Sequence, residues 1–305
     1  YLLVVLKELL FILCILVSIA FVTVLERKVL AKVQIRNGPN KVSVGGLFQS
    51  FADVVKLFGK NFYWGESVEW LIYSLSSCLA VFIMLCFWIT VPSYLVSNEP
   101  SSCVLFFLVC LSFNVYPVIF SSWSSNCKYS LISCYRNLSQ TVSYELSLTA
   151  VLTGLLFLSG VLEVSFNFSG TPMFFYLYPL IFFMWLLCSL MELNRTPFDF
   201  SEGESELVSG HLSEYGGFLF SFFFLAEYGM ILFFGVLTSW LFFYCLEFFI
   251  VYAFLIIWIR GVLPRDRYDK LMDMSWKSVL PLSVLLMMTG FLFWFFGYNQ
   301  IDKLV

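Results

Sequence analysis

The chain has 305 residues, of which 60% are hydrophobic and only 12% charged, with a net charge of −3 at pH 7 and a mean hydropathy of +0.89. So much apolar sequence excludes a soluble globular protein. The apolar runs recur near the ~20 residues that cross a bilayer as helix and lack the short alternation of a membrane barrel, so the expected class is all-α and integral membrane.

The chain leads from Tyr1 straight into an apolar helix with Lys7-Glu8 near its start, and no cleavable presequence is recognisable. The first span is expected over 2–25. The loop 26–60 that follows carries Glu26-Arg27-Lys28, a turn by residue type at Arg36-Asn-Gly-Pro-Asn40, and an amphipathic stretch over 46–60. In that stretch Leu47, Phe51, Val54/Val55 and Phe58 recur at helical spacing; it is too short to span and suits the bilayer surface or a partner's underside. Further spans are expected at 70–91, 102–121, 141–161, 173–191, 215–237, 240–259 and 279–296. The sixth and seventh are so close that a tight hairpin is expected between them. Eight transmembrane helices and one interfacial amphipathic helix thus make a single polytopic domain over 1–305. Fifteen of the seventeen Lys and Arg fall in the loops 26–60, 122–140, 192–214 and 260–278, all after odd-numbered spans. By the positive-inside rule these loops share the cytoplasmic or matrix side and both termini face the other.

Nine cysteines lie mostly in apolar runs without a Cys-x-x-Cys, and His211 is the sole histidine, so iron–sulfur, zinc or haem ligation by this chain alone is not expected. Nor is there a dinucleotide fingerprint or a P-loop. His211 itself, at a loop end, is expected to be exposed or hydrogen-bonded rather than a ligand. Phe is abundant at 37 and Ala scarce at seven, a bias that a T-rich coding strand explains and that points to an organellar genome.

The densest charge is in the inside loop 192–214, where Glu192, Asp199, Glu202, Glu204 and Glu206 accompany Arg195. Carboxylates so crowded ionise fully only beside cations, and such a cluster can shift its proton count when a neighbouring charge changes. Glu145 in the fourth span, Glu192 closing the fifth and Glu227 in the sixth form either a proton relay or ordinary helix–helix hydrogen bonds. Arg27, Arg36, Arg265 and Arg267 sit beside carboxylates or turns; they either make fixed pairs or only mark topology.

Several runs carry a family resemblance: Glu26-Arg-Lys-Val-Leu30, Gln34-Ile-Arg-Asn-Gly-Pro-Asn40, Gly46-Leu-Phe-Gln-Ser-Phe-Ala-Asp-Val-Val-Lys-Leu-Phe58 and Trp123-Ser-Ser-Asn-Cys-Lys-Tyr129. So do Gln140-Thr-Val-Ser-Tyr-Glu145, the whole segment 192–210, Ala226-Glu-Tyr228 and Pro264-Arg-Asp-Arg-Tyr-Asp269. In that order, across nearly the whole chain, they resemble the chain 1 family of respiratory NADH:ubiquinone oxidoreductase (complex I), its membrane-arm, quinone-cavity subunits. Asn194-Arg-Thr-Pro-Phe-Asp199 and Glu202-Gly-Glu-Ser-Glu-Leu-Val-Ser-Gly210 are the most specific runs.

The resemblance implies a core membrane subunit of a proton-translocating enzyme of the respiratory electron transport chain, multi-pass in the mitochondrial inner membrane. Its termini would face the intermembrane space and its charged loops the matrix. It implies no direct catalytic chemistry and no cofactor bound by this chain alone. Ubiquinone would be the substrate, and NADH, FMN and iron–sulfur clusters would be handled in partner subunits. The partners implied are hydrophilic subunits carrying the terminal iron–sulfur cluster, small membrane-arm neighbours and lipids, with no nucleic acid. Carried over by position, Arg27, Arg36, Asp53, Arg195, Asp199, Glu202, Glu204, Glu206, Arg265 and Arg267 are polar candidates of the quinone cavity. Glu145, Glu192, Glu227 and Tyr228 would begin the proton path. A homologous anchor subunit of a membrane-bound hydrogenase-type complex shares much of the loop pattern, and a stand-alone proton or ion transporter would use the same carboxylates. The chain departs from the family pattern at Asn61-Phe-Tyr-Trp64, where an acidic, proline-containing run is expected, and at His211-Leu-Ser-Glu214, which replaces a more apolar stretch. The loop at 97–101 and the C-terminus are short.

Overall fold

The computed structural model describes residues 2–60, 68–91, 103–159, 175, 178–199, 210–243 and 247–301. Among them the secondary structure is entirely helical. Helix α1 (Leu2–Val33) starts apolar and continues past the expected end of the first span through Arg27, Lys28 and Lys32. It stops where Ile35 takes a left-handed φ of 56°. There the Ile35 and Arg36 amides donate back to the carbonyls of Lys32 and Ala31, closing a Schellman end.

The amphipathic helix is α2 (Gln49–Phe58), which begins three residues later than expected. Gly45 and Gly46 both have positive φ, and a Cβ on Gly46 would lie 2.1 Å from the Pro39 carbonyl oxygen, so the chain turns there before helix can start. The expected third span divides at Asn114 into α4 (Cys103–Phe113) and α5 (Val115–Ser124), after α3 (Trp70–Ile89). Pro117 supplies no N–H to the Phe113 carbonyl, which accounts for the break. Helix α6 (Lys128–Ser159) takes in most of the expected loop 122–140, because the lysine and arginine that mark the inside face do not oppose helix.

Helix α7 (Pro179–Glu192) opens on a proline at its first turn. Helix α8 (Gly217–Thr238) runs past the expected turn as a π-type turn over Ser239–Phe243, so the connection to α9 (Phe248–Val262), which packs against α8, falls on 244–246, outside the described residues. The expected loop 260–278 likewise shortens, since α10 (Tyr268–Met274) passes through a second π-type segment into α11 (Leu280–Ile301). Among the described residues, six helical runs can cross a membrane by length and composition: Leu6–Val33, Trp70–Ile89, Val104–Ser124, Lys128–Ser159, Gly217–Phe243 and Tyr268–Phe296. Pro179–Glu192 and Phe248–Val262, where the fifth and seventh spans were expected, are shorter apolar helices.

Helix α8 lies at the centre against α1, α3 and α9, while α6 joins α5, α7 and α11. Phe87, Phe107, Phe233 and Phe234 interlock between α3, α4 and α8, with Trp185 of α7 behind them. Leu10, Leu13, Phe82, Phe183 and Phe293 turn outward, as helices facing lipid require. Where α6 meets α11 the backbones nearly touch: a Cβ on Gly290 would stand 2.7 Å from the Gly154 carbonyl oxygen. Lipid gives helices no hydrophobic drive to associate, so such close contact through small residues supplies the packing attraction.

Candidate functional site

The site forms around the C-terminal end of α7, with side chains from α1, α6, α8 and α9. Helix α7 terminates in a second Schellman motif: Asn194 takes φ 48°, its amide donates to the Met191 carbonyl, and the Arg195 amide donates to Leu190. Asn tolerates the left-handed region better than any branched residue, so Asn194 suits this position. Gln140 of α6 clamps the turn, its Nε2 donating to the Met191 carbonyl at 3.2 Å, the Asn194 Oδ1 at 2.8 Å and the Phe198 carbonyl at 3.1 Å. Asn194 in turn donates to Asn137 Oδ1 at 3.2 Å. The chain direction so fixed turns the Arg195 side chain inward, where only 9% of it is exposed.

Arg195 lies between two carboxylates, Glu26 of α1 at 3.7 Å and Glu227 of α8 at 3.5 Å. Its guanidinium carbon sits 4.7 Å from the ring centre of Tyr228, a cation–π contact. Arg260 of α9 pairs directly with the same Glu26 oxygen. Two carboxylates and two guanidinium groups therefore balance in a largely buried cluster, which is how charge survives away from water. In the sequence Glu26 directly follows the first apolar run and Arg260 opens the last basic loop. Their partnership, across 234 residues of sequence, is a product of folding.

Beside this cluster is a polar cavity lined by Glu192, Asn194, Arg195, His211 and Glu227, with Asn114, Asn137 and Thr141 and the apolar Ala80, Met84 and Phe223. It offers about 90 Å³ of room for the centres of water molecules. With ~10–15 Å³ of such room needed to hold one water, the cavity has space for several. Glu192 is buried, and Asn114 donates to its Oε1 at 3.2 Å, across the break between α4 and α5. Glu145, half-buried on α6, lies within electrostatic reach of Glu192.

The other expected site residues are spread more widely. Arg27 and Asp53 form an exposed ion pair at 2.5 Å that ties α1 to α2, and Gln49 donates to the second Asp53 oxygen. Arg36 is exposed and donates to Gln34. Asp199 is buried and held by Arg265 at 3.0 Å, which joins the segment after α7 to the one before α10; the Asp266 amide donates to the Pro197 carbonyl alongside. Arg267 pairs with nearby Asp269 at the surface. Glu202, Glu204 and Glu206 lie outside the described residues.

His211 departs from the expectation that it is exposed or hydrogen-bonded: it is buried on a single 3-10 turn, Gly210–Leu212, and its Nδ1 has no hydrogen-bond partner among the described residues. Burial pushes its pKa down to about 4 against the pull of nearby Asp199, so the imidazole is neutral at physiological pH. Among the described residues no group of three His, Cys, Asp or Glu is arranged to hold a metal ion.

Residues 6–290 match the family model described as NADH dehydrogenase. The NADH-ubiquinone oxidoreductase chain 1 of Aedes aegypti is 43% identical over 310 residues, covering 97% of this chain and 96% of that protein. Its counterpart in Locusta migratoria is 42% identical, covering 97% and 95%, and the one in Myxine glutinosa 38%, covering 93% and 94%.

Proposed function

Since this chain belongs to the NADH dehydrogenase family, we propose that it is the core membrane subunit of a proton-pumping NADH:ubiquinone oxidoreductase, complex I, in the mitochondrial inner membrane. Its relatives carry the name of that enzyme. The chain contributes a wall of the ubiquinone cavity and no redox centre; electrons reach the quinone from hydrophilic partner subunits that hold FMN and iron–sulfur clusters. Neighbouring small membrane-arm subunits and lipid cover the apolar outer faces, and the basic loops face the matrix with both termini opposite.

The observation that carries this reading is the balanced Glu26–Arg195–Glu227–Arg260 cluster opening on a cavity with Glu192 in its wall. Quinone reduction places negative charge and a demand for protons at one end of such an array. A buried array answers by moving a proton, because an unbalanced charge there costs several kcal/mol, roughly 3–5. We assign Arg27, Arg36, Asp53, Asp199, Glu202, Glu204, Glu206, Arg265 and Arg267 to the quinone side, with Arg195 at the junction. Glu227, Tyr228, Glu192 and Glu145 are assigned, in that order, to the proton side.

A photoreactive ubiquinone analogue, cross-linked in the assembled complex, tests the cavity assignment. Labelled peptides from 26–60 or 192–214, competed away by excess ubiquinone, are expected. Labelling of this chain only on its outer apolar helix faces, without competition, would refute it.

A further inference from the structure

The proposed proton path contains a residue that neither the quinone side nor the carboxylate series uses. His211 is buried, lines the same cavity as Glu192 and Glu227, and keeps an unpartnered Nδ1 among the described residues. Its ring is held edge-on against Phe223, with centroids 5.9 Å apart and planes at 79°, so the nitrogen has a set direction. The turn that carries it packs against α5 and α6, which bring Asn114, Asn137 and Thr141 to the cavity. The charged groups around it are Glu192 and Arg195 at the end of α7, Glu227 on α8, and the Asp199–Arg265 pair from the flanking segments. A buried nitrogen in a polar cavity with room for water is satisfied by water or not at all.

We propose that His211 is a positioning residue: its Nδ1 anchors a water in the cavity shared by Glu192 and Glu227, making the hydrogen-bonded link between the two carboxylates continuous. The inference rests on the functional reading above. His211 acts as a neutral donor or acceptor and does not itself carry the proton.

The experiment uses the assembled complex in proteoliposomes, with NADH and decylubiquinone, comparing H211L, H211N and H211Q. Leucine removes the nitrogen at similar volume. The asparagine amide falls where Nδ1 was, and the glutamine amide reaches further, to where Nε2 was. H211L is expected to lower the proton-pumping turnover by about fivefold, the worth of one hydrogen bond, with the quinone KM unchanged. H211N is expected to restore it to within about twofold and H211Q is not. Equal turnover in all three variants, or equal loss in Asn and Leu, overturns the proposal. If H211L does not assemble, the Asn and Gln pair decides by the same criterion, with equal behaviour counting against it. E192Q, measured in parallel, separates the two readings: should E192Q pump normally, the proton path itself is wrong. Should E192Q fail while the His211 variants are all normal, only the role of His211 is wrong.

Discussion

Replacing Arg195 by methionine removes the cation that contacts both Glu26 and Glu227 and keeps most of the side chain's volume. At 3.5 Å, with an effective dielectric near 20, one such pair has a gross attraction of about 5 kcal/mol, much of it cancelled by desolvation. What the single change costs is therefore set by the charge left behind: Glu227 loses its contact with Arg195 and the buried Glu26 keeps Arg260, so a loss of about 3–5 kcal/mol is expected. Removing Glu227 as well, in R195M/E227Q, leaves the Arg260–Glu26 pair matched. The double variant should recover part of the loss, giving a non-additivity of about 2 kcal/mol. The assay is a double-mutant cycle on the thermal inactivation half-life of the assembled complex, read as differences in the unfolding barrier because unfolding of such assemblies is irreversible. Strict additivity of the two single changes, or a double variant weaker than R195M, would show that the cluster is not coupled and would refute the reasoning.

Packing and pH supply further tests. G290A places a methyl group 2.7 Å from the Gly154 carbonyl oxygen and should destabilise the α6–α11 contact by about 1–3 kcal/mol, seen as a shortened half-life. G216A, where a Cβ meets nothing within 4 Å, should be nearly silent in the same assay. His211 titrates at about 4 when folded against 6.5 when unfolded, so the unfolded chain takes up the proton first as pH falls. Stability is thus whole above pH 6.5 and declines by up to about 3 kcal/mol down to pH 4. H211N should flatten that part of the pH–stability curve, and an unchanged slope would mean that the imidazole is not buried.

The membrane class and the order of the helices could be read from the apolar runs, because in a bilayer almost nothing but helix satisfies the backbone. Boundaries could not. Lys128, Arg136 and Lys277 mark the inside face but are good helix formers, so α6 begins inside an expected loop and α10 runs on into α11. The boundary between the sixth and seventh spans was expected at 238–239, whereas the helix continues through it in a wider turn to Phe243. At the site, the arginines flagged beside carboxylates do pair: Arg27 with Asp53, Arg265 with Asp199 and Arg267 with Asp269. The buried cluster was only half legible, since Glu26 hides in a charged triplet that looks like a helix exit. Its one available signal was a carboxylate directly following the apolar run that ends at Leu25. His211 was illegible for a different reason: one histidine at a loop end carries no periodicity, and only the fold shows that it meets a cavity.

The central claim is that charge at the quinone side is answered by proton movement through Glu192, and it is tested most directly by redox-driven proton uptake in proteoliposomes containing the complex with E192Q. Pumping is expected to fall roughly tenfold or more, in the range of a lost proton-transfer group, with the quinone KM nearly unchanged. Proton uptake at the unaltered rate and the unaltered ratio to electrons transferred would contradict the account.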